Sequence, residues 1–82
     1  MYVVAIHSIT DPDKFWSGPP DKMPEGTSLP TFAGNSDGTR AICIWKTDSV
    51  DTVQNLVEDA YGAISTNEFF AVDENVAQGL PN

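Results

Sequence analysis

Two stretches of the chain are apolar at nearly every position. Val3-Val4-Ala5-Ile6 dominates the first, Tyr2 to Ile9, and Ala41-Ile42-Cys43-Ile44-Trp45, set between Arg40 and Lys46, forms the second. Successive side chains of a strand point to opposite faces. In both stretches the two alternating sets are largely apolar, so each reads as a strand buried on both sides and placed inside a sheet. Thr27 to Gly34 is a weaker strand, and Pro30, which cannot donate to a ladder, predicts an edge position or a bulge. Asn35 to Thr39, with Gly38 suited to positive φ, predicts the hairpin loop that leads into Arg40. Asn67 to Val72 is the last predicted strand.

Helical signals fill the gaps. Asp11-Pro12-Asp13 combines a capping side chain, a proline at the first helical position and an anion near the positive end of the helix dipole. Gly18-Pro19-Pro20 stops that short helix, Phe15 and Trp16 anchor it on the sheet, and Ser17 to Gly26 is a loop. The main helix starts at Asp48-Ser49-Val50-Asp51 with Asp48 as its cap. It carries Val50, Val53, Leu56, Val57, Ala60 and Ile64 at helical spacing, turns Asp51, Gln54, Asn55, Glu58 and Asp59 outward, and stops at Gly62. Asp73 to Gly79 can form one or two closing helical turns.

The resulting order, strand-helix-strand-strand-helix-strand, is the split βαβ pattern of an α+β, ferredoxin-like domain with a four-stranded antiparallel sheet, spanning 1–82 as one unit. Its first and third strands are central, in agreement with the two doubly apolar stretches. Two helices cover only one sheet face. Bulky Val4, Ile6, Ile42 and Ile44 suit packing under helices, which leaves Val3, Ala5, His7, Ala41, Cys43 and Trp45 on the bare face. An apolar patch of that kind asks for a cover, and a second copy packed sheet against sheet predicts a homodimer.

Composition narrows the setting. At 82 residues the chain buries little surface for its size, which favours association. Twelve carboxylates against four cations give a net charge of −8, which disfavours nucleic acid as a partner. The one cysteine excludes an intrachain disulfide and fits a reducing, cytoplasmic setting. No apolar run approaches membrane-spanning length, and the start lacks the pattern of a signal peptide. One His and one Cys do not complete a zinc site within one chain, so no metal is assigned.

Element order, size and bare sheet face, with segments such as Asp11-Pro12-Asp13-Lys14-Phe15-Trp16, Asp37-Gly38-Thr39-Arg40-Ala41-Ile42-Cys43-Ile44-Trp45 and Asn67-Glu68-Phe69-Phe70, resemble the dimeric α+β-barrel superfamily. That superfamily includes small cofactor-free monooxygenases, polyketide cyclases, muconolactone-isomerase-like enzymes and stress-responsive barrel proteins. The resemblance covers nearly the whole chain at the level of architecture. It implies a ligand cavity on the helix-free sheet face, cofactor-free chemistry, and a small aromatic or polyketide-like substrate.

On that face the candidates are His7 as general base or acid, with Trp45, Cys43, Phe32, Phe69, Ala5 and Ala41 shaping a pocket. Phe69 and Ala71 share this face if Phe70 and Val72 turn to the helices. Each candidate has a structural alternative. His7 can be a buried, hydrogen-bonded neutral ring, and Cys43 a small core residue lacking a neighbouring cation. Trp45 serves equally as dimer filler or cavity wall. Asp48, Asp51, Asp73 and Glu74 sit where helix starts want anions, Tyr61 and Glu68 can reach a barrel rim, and the glycines serve turns. The rival to the enzyme reading is a non-catalytic barrel that binds a ligand or metal or assists another protein.

Overall fold

The computed structural model describes every residue except Pro19, Asp21 and Asn82, so the helix stop expected at Pro19 lies outside the described residues. Strand β1 (Tyr2–Ile9) leads into a one-turn helix α1 (Pro12–Phe15), followed by β2 (Ser28–Gly34), β3 (Arg40–Lys46), helix α2 (Val50–Tyr61) and β4 (Ser65–Ala71). The strands form one antiparallel sheet in the order β2-β3-β1-β4. The fold is α+β and consistent with the ferredoxin-like βαββαβ type, with β1 and β3 central as their double apolarity requires.

Local chemistry sets the boundaries. Asp11 accepts a hydrogen bond from the Lys14 backbone N–H at 3.2 Å, which caps α1 ahead of Pro12. The register of β2 on β3 shifts between Ser28 and Thr31, so the ladder slips around Pro30 as its missing N–H demands. Gly38 takes φ +75° in the hairpin loop. β4 starts at Ser65, two residues before the expected Asn67, because Ser65 and Thr66 still pair with Ile9 and Ser8. It ends at Ala71; Val72 donates its N–H to the Tyr2 carbonyl at 2.9 Å. A closing 3-10 turn, Glu74–Val76, is capped by Asp73.

The cap of α2 is Ser49, not the expected Asp48. Ser49 has an extended backbone and its hydroxyl accepts from the Thr52 N–H at 3.1 Å, whereas Asp48, one residue further out, receives the Thr52 hydroxyl at 2.7 Å. That bond holds the Asp48 carboxyl below its ordinary range. Gly62 follows the helix but stays right-handed, with φ −58°. The buried stripe of α2 is Val53, Val57 and Tyr61. Ala60, expected in that stripe, is exposed, and Tyr61 takes the inward place at the end of the i, i+4, i+8 series.

The expected face assignment is reversed. Val3, Ala5, Ile9, Ala41, Cys43 and Trp45 form the core with Phe15, Val53, Val57 and Tyr61, so this set lies under the helices. Volume explains the reversal. The helical layer delivers aromatic rings, with Phe15 and Tyr61 centroids 4.6 Å apart, and small residues such as Ala5 and Ala41 leave room beneath them. The other face therefore carries the bulky set, Val4, Ile6, Ile42 and Ile44, together with Phe70, although Val4 is already buried within the chain and Ile6 and Ile44 are half-buried. Ile42 is 41% exposed and Phe70 46%.

Candidate functional site

The residues expected to line a pocket do share one sheet face, but it is the covered one. His7, Ala5, Ala41, Cys43 and Trp45 are all buried, and Phe32 and Phe69 are partly buried against them. Opposite Ala5 the register sets Cys43 on one side and Phe69 on the other. Phe32 stacks on Trp16 at 4.7 Å, and Phe15 lies 5.1 Å from the His7 ring. The space expected beside His7 is thus filled by aromatic side chains. Trp45 is fully buried, and its indole N–H has no hydrogen-bond partner among the described residues. Tyr61 is buried and donates its hydroxyl to the Gly18 carbonyl at 2.7 Å.

His7 stands in an ordered chain of polar contacts. Its Nδ1 lies 2.6 Å from Asn67 Oδ1, and its Nε2 lies 3.0 Å from Cys43 Sγ. Asn67 Nδ2 donates to Glu58 Oε1 at 3.1 Å and Asn67 Oδ1 accepts from the Ser65 hydroxyl at 2.8 Å. A carboxylate only accepts, so the amide nitrogen faces Glu58 and the amide oxygen faces the ring. The proton therefore sits on Nδ1, and Nε2 accepts from the Cys43 thiol. Burial pushes the His7 pKa below its ordinary value, against the opposing pull of Asn67 and Glu58. Burial also pushes the Cys43 thiol up to about 12. The order thiol, imidazole, amide is that of a nucleophile with its base and orienting group. Here both members are neutral and sealed by Phe15, so the chain satisfies buried polar groups and holds no thiolate. Sequence reasoning identified His7 and Cys43 but missed Asn67 and Glu58. The parity of β4 relative to β1, which puts Asn67 opposite His7, was the available signal.

The other face is open. Two shallow concavities of about 400 Å³ each meet there. One is lined by Ile6, Ala33, Arg40 and Ile42, the other by Ile6, Ser8, Arg40, Thr66 and Glu68. Their shared members are Ile6 and Arg40. At the far end of the face the Tyr2 hydroxyl donates to the Pro81 carbonyl at 2.6 Å, tying the C-terminal segment to the sheet. A third concavity, between α1 and the β2–β3 hairpin, is lined by Pro12, Asp13, Trp16 and the loop from Gly34 to Gly38. Among the described residues no His, Cys, Asp and Glu cluster could hold a metal ion, and no helix is long and apolar enough to cross a membrane. No family model matches the chain, and neither a curated protein nor a solved structure matches it.

Proposed function

We propose that the protein is a homodimer of the α+β-barrel kind, which packs the open sheet faces of two copies together and binds a small, largely apolar molecule between them. The observation that carries this reading is the composition of the open face: Ile6, Ile42, Ile44 and Phe70, exposed or half-buried in adjoining positions on β1, β3 and β4 around the buried Val4. Bulky aliphatics on a bare face make the case for a cover stronger than the small residues first expected there. The molecule measures 34 × 26 × 18 Å. Its broad face is of the size a standard interface takes from each partner, roughly 800 Å². The concavities around Ile6 supply the pocket, and a buried free thiol at Cys43 suits a reducing, cytoplasmic setting.

Binding is favoured over catalysis at His7. The ring is sealed under the helices with both nitrogens engaged, whereas the open face offers aliphatic walls and few groups that titrate near neutral pH. Light scattering coupled to gel filtration at micromolar concentration tests the dimer, with fluorescence of the apolar dye 1-anilinonaphthalene-8-sulfonate as a probe of the cavity. The expected result is a dimer that brightens the dye, with both signals lost in Ile42→Glu. A wild-type monomer that leaves the dye dark overturns the proposal.

A further inference from the structure

Building on that dimer reading, we infer that Arg40 of each subunit pairs with Glu68 of the partner subunit. The sheet register arranges the open face in rows. Arg40, Ser8 and Thr66 form the first, Ile42, Ile6 and Glu68 the second, Ile44, Val4 and Phe70 the third, and Lys46 with Tyr2 the last. Three charged groups thus stand on a face of apolar and neutral side chains. Arg40 and Lys46 mark the two ends of β3, and Glu68 lies on the edge strand, one row in from Arg40. Among the described residues no ion pair forms within the chain. Arg40 and Glu68 would therefore enter a sheet-to-sheet interface unneutralised, and a charge left unpaired there is strongly unfavourable.

Facing sheets lie about 10 Å apart, and charge selects among the ways to relate them. A twofold axis across the strands lays each strand end for end over its own copy. Arg40 would then face Lys46 of the partner subunit, like charge on like, and Glu68 would face Phe70 of the partner subunit with no cation near. An axis along the strands keeps the rows and exchanges the columns. Arg40 then stands over Ser8 and Thr66 of the partner subunit, with Glu68 of the partner subunit one row away and within reach of two long side chains. Symmetry makes the pair twice. Sheets crossed at about a right angle have two diagonal axes: one brings Lys46 to Glu68 of the partner subunit and leaves Arg40 without an anion, whereas the other again brings Arg40 to Glu68 of the partner subunit. With Arg40 and Glu68 mutually satisfied, the remaining concavity over Ile6, Ala33 and Ile42 suits an uncharged apolar ligand.

Sedimentation equilibrium on the full chain tests this pairing through the dimer dissociation constant of R40E, E68R, K46E, R40E/E68R and K46E/E68R, with circular dichroism confirming that each variant is folded. R40E and E68R should each weaken the dimer at least about tenfold, and R40E/E68R should restore it to within about threefold. K46E should change little and should not rescue E68R. A stable wild-type dimer in which R40E/E68R is no better than the single variants, or in which K46E rescues E68R, overturns the Arg40–Glu68 pairing while leaving the dimer intact. A wild-type monomer overturns both.

Discussion

Burial acts on His7 and Cys43 in opposite directions, and both shifts keep the pair neutral. The imidazole is pushed below 6.5 and the thiol from 9.0 up to about 12. As pH falls through 6.5 the unfolded chain binds a proton at His7 that the folded chain refuses, so stability declines. As pH rises above 9.0 the unfolded chain releases the thiol proton that the folded chain holds, and stability declines again. Thermal unfolding should therefore show a stability plateau between those limits. The part of that decline that sets in near pH 9 should be absent in Cys43→Ala, which lowers overall stability, while the Tyr61 hydroxyl, which burial also pushes up, still gives a decline above about pH 10. Ellman's reagent should leave Cys43 unmodified in the native protein and modify it fully in denaturant. Asn67→Leu removes the acceptor for the His7 Nδ1–H and should destabilise by about 1–3 kcal/mol in urea unfolding. A loss below about 0.5 kcal/mol would mean that the polar chain carries little stability.

At the scale of elements, α1 is too short to hold itself, and its position comes from the side chains that follow its cap. Trp16 donates its indole N–H to the Gly38 carbonyl at 2.9 Å and stacks on Phe32, while its ring edge lies over Gly34. A Cβ at Gly34 would stand 2.7 Å from Trp16 Cη2 and run into Cζ2, in a ring pinned from two sides. Gly34→Ala should cost about 1–3 kcal/mol by overpacking, and Trp16→Leu in the same chain should recover part of that loss. Urea unfolding of the two singles and the double variant checks both statements. At the other helix, Ser49→Ala should cost about 0.5–2 kcal/mol and Asp48→Ala less. Most element types and the grouping of residues by face were legible in the alternation of Tyr2–Ile9 and Arg40–Lys46. Which group the helices cover was not legible, because both groups are apolar. The choice depended on the volumes that Phe15 and Tyr61 bring down onto Ala5 and Ala41, which appear only when the layers are assembled. The cap moved by one residue for a similar reason: Asp and Ser are both good caps, and only the extended backbone at Ser49 chooses between them.

At the scale of the molecule, two opposing forces meet in the proposed dimer. Covering Ile42 and Phe70 favours association, each side chain contributing at most about 1.5–3 kcal/mol on full burial and in proportion to its exposed share otherwise. Bringing together two chains of net charge −8 opposes it. Salt separates the two. Net repulsion acts between surface charges across solvent and is screened once the Debye length falls to about 10 Å at 0.1 M. The apolar contact is not weakened by salt, and a pair at close range in the interface is screened less than charges exposed to solvent. Dimer affinity should therefore rise with sodium chloride, contrary to what an interface held mainly by ion pairs would show. Because a dimer that dissociates on unfolding is stabilised by mass action, its melting temperature should also climb with protein concentration. Ile42→Glu, which places a carboxylate in the middle of the open face, should abolish both dependences while leaving the circular dichroism spectrum of the folded chain in place. Differential scanning calorimetry over a hundredfold range of concentration, at low and moderate salt, reads both effects together. A wild-type melting temperature that ignores concentration and salt alike would mean that the aliphatic face stays open to water.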